Sequence, residues 1–410
     1  MWKSHRGTAC AIASCLAALA AACASEGDAV DLTTTPALGE TRAPELLIQR
    51  VAQNSTVGDF DGDGLGDAAV GDPTSGRTSA CPAGFGAIHV HAGDDPTRGV
   101  RWARGAGLTG AAICGAQLGT GLDAADVDGD GYEDLIVGVP GTQVGQIQVV
   151  FGSPAGLSST RQSIIVGATA EGPSAHFGAA IAAGDFDCDG FADVAAAAPD
   201  ADVGGAQDAG SVTVFRGRAG GIATAGTRLV QGAFGDAAEN GDRFGFALAA
   251  GNLDADGPGG CGCDDLAVSA SFEDVSGVED AGLVHVLFGG SSGPGSGGTQ
   301  NVPPNGALGP LRGQGLGSRL GIGDIDLDGV DDLSMTLSAS DQLAWMPGGA
   351  GGLGPVSIEG DELALGETCD SEARKGTATV TDIKVTIIPS GCDYCCGPGN
   401  CCVGGSCGGD

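Results

Sequence analysis

One sequence unit recurs five times between residues 46 and 360, and this repetition constrains the fold more than any other feature. Each copy has an aspartate-rich core. Aligning the first position of each core gives residues 59, 126, 185, 252 and 324, so the spacings are 67, 59, 67 and 72 residues. Such a period indicates a supersecondary unit that buries its apolar faces against its neighbours. We therefore predict an array of similar modules.

Apolar segments on both sides of each core indicate β-strands. A Gly-rich segment precedes the core, as in FGAAIAAGD (177–185), and a short apolar run follows it, as in LIVGVP (135–140). Next come an alternating run that ends in glycine, as in GSVTVFRG (210–217), and a variable fourth stretch. Short runs bounded by Gly and Pro are typical of strands, and no segment of 46–360 sustains a helical period. Four antiparallel strands per unit, repeated radially, predict an all-β fold, a β-propeller of four-stranded antiparallel blades.

The units resemble FG-GAP repeats, which form the blades of the integrin α-subunit head. The matching signals are the aspartate core, FG at 177–178 and 244–245, and the closing dipeptides VP at 139–140 and AP at 198–199. The resemblance implies an integrin-α-like N-terminal β-propeller with five recognisable FG-GAP blades in 46–360. Integrin heads have seven blades, so we expect either a five-bladed ring or a ring completed by a degenerate sixth blade.

Four of the cores have the ligand spacing of a calcium loop. In DFDGDGLGD (59–67), carboxylates occupy positions 1, 3, 5 and 9, glycine at position 6 permits a sharp turn, and position 7 offers its carbonyl. Calcium accepts roughly six to eight oxygens in flexible geometry, whereas magnesium requires a tighter octahedron and zinc prefers Cys and His. The loop starts like an EF-hand, but its last carboxylate comes at position 9 and a strand follows. Four copies at one place in the unit argue against an ordinary acidic turn.

The predicted calcium ligands of the four intact loops occupy positions 1, 3, 5, 7 (through the carbonyl) and 9. They are Asp59, Asp61, Asp63, Leu65 and Asp67; Asp126, Asp128, Asp130, Tyr132 and Asp134; Asp185, Asp187, Asp189, Phe191 and Asp193; and Asp324, Asp326, Asp328, Val330 and Asp332. The copy at 252–265 is damaged, because Asn replaces the first Asp and inserted residues, Cys261 and Cys263 among them, separate positions 5 and 9. Its candidate ligands are Asn252, Asp254, Asp256 and Asp265. We expect this fifth site to bind calcium weakly or to be clamped by a disulfide instead.

The N-terminus has the pattern of an export signal, so we predict a signal peptide at 1–22. Lys3 and Arg6 precede a run of small apolar residues that is too short and too Ala-rich to be a membrane span. The run ends in LAAAC, which resembles a bacterial lipobox with Cys23 as the lipid-bearing residue; ordinary cleavage at an Ala-x-Ala site is the alternative. Either route exports the chain, as an outer-membrane lipoprotein or as an extracellular protein. Residues 23–45, rich in Ala, Thr and Pro, are predicted to be a flexible tether.

Cysteine usage agrees with export. Of fifteen Cys, three lie in or at the end of the signal, and the remaining even dozen favours disulfides over reactive thiols or zinc. Cys81 falls in a loop between strands two and three, and Cys114 falls in a connection between units. Such loops share one face of a propeller, so we expect these two cysteines to form a disulfide. Residues 361–410 form a Cys-rich tail, for which a small disulfide knot is favoured over a zinc site.

Charge and motif content narrow the function. Acidic residues outnumber Lys plus Arg by 52 to 18, giving a net charge of −34, which argues against a nucleic-acid partner. No Ser, Cys or acidic residue with a nearby His forms a recognisable catalytic set, and the pair His89 and His91 lacks a third metal ligand. The family resemblance implies a non-enzymatic binding or adhesion module, with a protein or polysaccharide at the cell surface as its partner. A glycan-binding lectin and an accessory propeller of a secreted hydrolase or lyase are the alternatives.

The partner is expected at the end of the propeller opposite the calcium loops. The longest and most varied loops, at 72–86, 199–210 and 270–282, join strands two and three and should open there. A basic surface on the partner is expected to meet their acidic residues. These residues are Asp200, Asp202, Glu273 and Asp274.

Overall fold

The computed structural model describes residues 54–358, except 96–97, 169–171, 173, 257–261, 305–312, 314, 327 and 338–341. The predicted signal peptide, tether and Cys-rich tail lie outside the described residues. Within these, regular structure consists of mainly antiparallel sheets and one turn of 3₁₀ helix, Gln231–Ala233. In this part of the chain, no helix has the length and apolar character needed to cross a membrane.

Each of the first three sheets is built from the strands of one repeat unit. Sheet I contains β1 (Ser55–Gly58), β2 (Asp67–Asp72), β3 (Ala87–His91) and β4 (Gly99–Arg104), to which the short β5 (Gly107–Leu108) adds in parallel. Sheet II contains β6 (Leu122–Ala125), β7 (Asp134–Gly138), β8 (Gln146–Val150) and β9 (Gln162–Val166). Sheet III contains β10 (Ile181–Gly184), β11 (Asp193–Ala198), β12 (Ser211–Phe215) and β15 (Thr227–Leu229), with a separate hairpin of β13 (Gly217–Arg218) and β14 (Gly221–Ile222).

The last two sheets repeat this order. Sheet IV contains β16 (Leu248–Gly251), β17 (Asp265–Ala270), β18 (Leu283–Phe288) and β19 (Gly298–Val302). Sheet V contains β20 (Leu316–Gly323), β21 (Asp332–Leu337), β22 (Gln342–Met346) and β23 (Ser357–Ile358). The predicted four strands per unit are therefore confirmed, and β5 and the β13–β14 hairpin are additions that the repeat pattern does not contain.

The second strand of the inner units is buried along its whole length. Every residue of β7, β11 and β17 is buried, because another sheet covers each face of the sheet that contains them. Small residues allow these sheets to approach closely. A Cβ added to Gly138 would lie only 2.0 Å from the carbonyl oxygen of Gly178 in the next unit, so a larger residue cannot fit there.

The hydrophobic core consists of four layers, one between each pair of successive sheets. Phe177 and Phe244, the aromatic residues of the FG dipeptides, are fully buried in two of these layers. The first strands of the sheets pack in sequence, β1 on β6, β6 on β10, β10 on β16 and β16 on β20. No comparable contact joins β20 to β1 among the described strands. The fold is thus propeller-like with five blades, and closure of the ring stays a prediction.

Cys81 and Cys114 form the expected disulfide. It connects the β2–β3 loop of sheet I to the segment that enters sheet II. The two kinds of loop therefore lie at the same end of the molecule, opposite the loops that join first and second strands, as the propeller prediction required.

Candidate metal centres

The acidic cores form the loops between the first and second strands of the sheets. We name them loop I (59–67), loop II (126–134), loop III (185–193), loop IV (252–265) and loop V (324–332). In four loops, three carboxylates each place an oxygen within 4.8 Å of the others. The groups are Asp59, Asp61 and Asp63; Asp126, Asp128 and Asp134; Asp185, Asp187 and Asp189; and Asp324, Asp326 and Asp332.

The aspartate at position 1 organises the turn of each intact loop. In loop I, Asp59 Oδ1 accepts a hydrogen bond from the N–H of Asp63 at 3.1 Å, and Oδ2 accepts one from the N–H of Gly64 at 2.9 Å. Loops III and V repeat this pair of bonds. The predicted sharp turn at position 6 is confirmed, because Gly64 has φ +82°, in a region that L side chains rarely adopt.

The aspartate at position 9 joins its loop to the end of the third strand. In loop II, Asp134 Oδ2 accepts from the N–H of Val127 at 3.1 Å, and Oδ1 accepts from the N–H of Gly152 at 2.8 Å. Asp67, Asp265 and Asp332 make the same two-sided contact. Burial raises the pKa of Asp134 to about 7, more than these two bonds lower it. Position 9 therefore has a structural role besides any metal ligation.

The acidic loops contain charge and acceptor capacity that a cation would satisfy. Asp128 Oδ1 is buried and has no hydrogen-bond partner among the described atoms. Burial raises the pKa of Asp61, and the neighbouring charges of Asp63 and Asp59 add to that rise. Unpaired carboxylate oxygens at such separations suit a hard divalent cation with oxygen ligands, so the residues fit the predicted calcium.

The structure brings together only part of each predicted ligand set. Positions 1 and 3 join position 5 in loops I and III and position 9 in loops II and V, so Asp67, Asp130, Asp193 and Asp328 lie outside the groups. The four residues at position 7 donate their N–H groups to the carboxylate at position 5. Metal ligation by their carbonyls remains a prediction.

Loop IV differs from the intact loops. Among the described residues, Asn252, Asp254, Asp256 and Asp265 form no comparable group of carboxylates. A disulfide between Cys188 of loop III and Cys263 ties loop IV to its neighbour. The disulfide alternative for this copy is therefore confirmed; Cys261 lies outside the described residues.

Two arginines reach the loops and have no counterpart in the predicted set. Arg161, directly before β9, contacts Asp128 and lies 3.0 Å from Asp130, and Arg216 contacts Asp187. Each supplies a countercharge within the same unit. No repeated sequence position predicts these arginines. Arg161 lies in the variable fourth stretch of its unit, and Arg216 stands directly before the closing glycine of the third run, where the other units have no arginine.

At the end opposite the acidic loops, two of the four acidic residues expected to meet a partner are not freely exposed. Glu273 is buried, its Oε2 accepts from Gln231 Nε2 at 2.5 Å, and burial raises its pKa to about 8. The expectation that Glu273 meets a partner is wrong, because the connection between sheets III and IV covers it. Asp200 is ion-paired with Arg243 at 3.0 Å, whereas Asp202 and Asp274 are exposed as expected.

Comparison with known proteins agrees with the repeat. The FG-GAP repeat model matches residues 118–150 and 177–215. Integrin alpha-V of Gallus gallus is 32% identical over 188 residues, which cover 43% of this chain and 16% of that protein. The phosphatidylinositol-glycan-specific phospholipase D of Mus musculus is 36% identical over 110 residues, or 25% of this chain and 13% of that protein. The match to the crystal structure of the exotype rhamnogalacturonan lyase YesX has a TM-score of 0.38 at 14% identity and covers 73% of this chain and 48% of that chain.

The fold and the loops define the class as propeller-like proteins with acidic loops on one end. Within that class, the chain carries FG-GAP repeats and is similar to integrin α subunits in the repeat region. It spans less than a fifth of the length of the integrin and the phospholipase D described above.

Proposed function

We propose that this chain is an exported, calcium-binding, propeller-like module that binds another macromolecule and is not an enzyme. The observation that carries the proposal is the convergence of three carboxylates in each of four loops at one end of the fold. Calcium suits these loops because their candidate ligands are all oxygens, which calcium accepts in a flexible coordination geometry. Bound calcium would relieve repulsion between the aspartates and stiffen the loop end of each blade.

The repeat region of integrin alpha-V supports binding rather than catalysis as the role. The similarities to integrin alpha-V and to phospholipase D concern 16% and 13% of those proteins, so the activity of neither whole protein is carried over to this chain. Among the described residues, groups of three carboxylates lie at the strand ends of every sheet but the fourth, a distribution that suits a scaffold with several structural ions better than a single reaction centre.

The partner is proposed to dock at the end opposite the calcium loops. A groove of about 890 Å³ opens there between the loops of sheets III and IV, and its lining includes Asp208, Asp274, Glu279 and Asp280 beside Phe272. Phe272 is 36% exposed and the Arg243 guanidinium lies over its ring at 5.3 Å, so the groove offers a partly covered apolar contact within a mainly acidic rim. A basic protein segment matches this chemistry better than a neutral glycan does.

Retention of partners from surface extracts tests both the calcium requirement and the face. Wild-type protein should retain a partner with calcium and lose it with a chelator. Asp202→Asn combined with Asp274→Asn should weaken retention and flatten its salt dependence at an unchanged Tm. Asp94→Asn, which removes an exposed charge at the calcium-loop end, is the matched control and should behave as wild type. Loss of binding in the control alone would place the partner at the wrong end for this proposal.

Export is proposed to end at the cell surface or outside the cell, with Cys23 as a lipid anchor. The two disulfides in the described part of the chain support an oxidising compartment. Cys23→Ala should move the protein from the membrane fraction to the soluble fraction. A wild-type protein that is already soluble would leave ordinary secretion as the route.

A further inference from the structure

Successive acidic loops are linked by a hydrogen bond that recurs at every junction between sheets. The N–H of the residue at position 8 donates to the carbonyl of the residue at position 1 in the preceding loop. The four bonds are Glu133 to Asp59 at 3.2 Å, Ala192 to Asp126 at 3.1 Å, Asp264 to Asp185 at 2.9 Å and Asp331 to Asn252 at 3.2 Å.

At three of these junctions the carboxylate side chain at position 8 accepts a second hydrogen bond, donated by the N–H of the residue at position 1. Glu133 Oε2 accepts from the N–H of Asp59 at 2.7 Å, and Asp264 Oδ2 accepts from the N–H of Asp185 at 2.8 Å. Asp331 Oδ2 accepts from the N–H of Asn252 at 3.1 Å. We call this pair of bonds the latch. The junction between sheets II and III has the main-chain bond alone, because position 8 of loop III is Ala192.

The residue before position 1 changes together with the latch. At the latched junctions it is Gly58, Gly184 or Gly251, and a Cβ on any of them would lie 2.7 Å from a carboxylate oxygen of the latching residue. At the unlatched junction it is Ala125. The residue before position 1 is thus glycine wherever a latching carboxylate occupies the space that a Cβ would take. It is alanine at the junction where position 8 has no carboxylate.

We propose that Glu133, Asp264 and Asp331 are positioning residues that set the conformation of the preceding acidic loop. The latch pairs both the carbonyl and the N–H of the residue at position 1. The bond from the N–H is the stronger one, because its acceptor is a charged carboxylate. Because the carboxylate at position 1 is itself bonded to the N–H groups of positions 5 and 6, its orientation follows its backbone. Packing of sheets II and IV thereby prepares the acidic loops of sheets I and III, whereas Asp331 holds loop IV, which has no carboxylate at position 1.

The metal part of this inference rests on the proposed calcium function, and the latch itself does not. Asp264 gives the cleanest test, since it latches the intact loop III and belongs to loop IV, whose described residues form no group of three carboxylates. Groups that orient a metal ligand typically change metal affinity by about 10- to 100-fold. Asp264→Ala should therefore weaken calcium binding in loop III about tenfold, whereas Asp264→Asn, which keeps an acceptor oxygen, should retain most of it.

Amide hydrogen exchange and NMR on the full chain test the latch and the calcium function separately. In calcium-free protein, Asp264→Ala should speed exchange at the amide of Asp185 about tenfold and leave the unlatched amide of Asp126 as it was. A calcium titration followed at the amide of Gly190 then reports on loop III, and the amide of Gly131 reports on loop II as the internal reference. Unchanged exchange at Asp185 would overturn the latch. Faster exchange without any calcium response of Gly190 in the wild type would uphold the latch and overturn the metal function.

A gain-of-function pair keeps the inference testable if Asp264→Ala fails to fold. Ala125→Gly with Ala192→Glu should build a latch at the junction that lacks one. Exchange at the amide of Asp126 should slow, and Ala192→Glu without Ala125→Gly should not achieve this, because the methyl group occupies the space of the carboxylate. Equal exchange in the single and double variants would contradict the role assigned to the glycine.

Discussion

Loops III and IV are neighbours joined by the Cys188–Cys263 disulfide, yet among their described residues only those of loop III gather three carboxylates. Both keep the aspartate at position 9 and its bond to the end of the third strand, Asp193 to Gly217 at 2.9 Å and Asp265 to Gly289 at 2.7 Å. Loss of the carboxylate at position 1 therefore leaves the strand connection intact. In loop III, position 9 closes the blade and positions 1, 3 and 5 supply the carboxylates of the proposed cation site, so the two roles are separable there.

Removal of calcium should have the largest effect on stability, because it acts on the four intact loops at once. Loop IV should be unaffected. A ligand at 100 times its Kd adds about 2.7 kcal/mol per site. Several loaded loops should therefore raise Tm by more than about 10 °C over protein in excess chelator. Calorimetry in millimolar calcium and in chelator measures this. Coincident Tm values would remove calcium from the account.

Loss of the Cys188–Cys263 disulfide should have the next largest effect. Serine at both positions should cost about 2–4 kcal/mol of unfolding free energy and weaken calcium binding in loop III, since the disulfide holds position 4 of that loop. Serine at Cys81 and Cys114, at the opposite end, is the matched control. It should cost similar stability with calcium binding unchanged. Equal loss of calcium binding in both variants would show that the effect is general rather than local.

Single substitutions at position 3 sharpen the contrast between the loops. Asp187→Asn should lower Tm in calcium by a few degrees and have a smaller effect in chelator, because it removes a metal ligand. Asp254→Asn, the same change in loop IV, should leave the calcium-dependent part of Tm unchanged. A calcium-dependent loss at Asp254 that matches the loss at Asp187 would show that loop IV is a working site.

The pH dependence should be the smallest effect. Burial raises the pKa of Asp134, Asp193 and Asp265 to about 7 from 3.8. Without calcium, the folded state holds these protons more tightly than the unfolded state does, so the stability they add is full below about pH 4 and is lost as pH rises through about 7. Calcium needs the ionised carboxylates of its loops. The Tm difference between calcium and chelator should therefore widen from pH 5 to pH 8, and a narrowing difference would contradict this assignment.

The sequence was sufficient to predict the repeat, the four-stranded sheets and the position of the acidic loops, because each depends on local pattern. It also predicted the Cys81–Cys114 disulfide, since the propeller places those loops at one end. The sequence did not predict the pairing of Cys188 with Cys263, because this pairing depends on how loop III packs against loop IV. Burial of Glu273 was missed for the same kind of reason, since a connection from another unit covers it.

Residues at position 8 were also missed as functional residues, although a signal for them exists. Glu133, Asp264 and Asp331 are acidic. In the unit before each of them, the residue directly before position 1 is a glycine; these are Gly58, Gly184 and Gly251. The pattern joins residues in different units, so comparison of positions within a single unit does not find it.

The number of bound metal ions tests the central claim most directly. Equilibrium dialysis followed by elemental analysis of the full chain should give at least four calcium ions per protein and little zinc, one for each group of three carboxylates. Asp187→Asn should lower that number by about one, and Asp254→Asn should leave it unchanged. A count of one or none in the wild type would contradict the account of what these aspartates do.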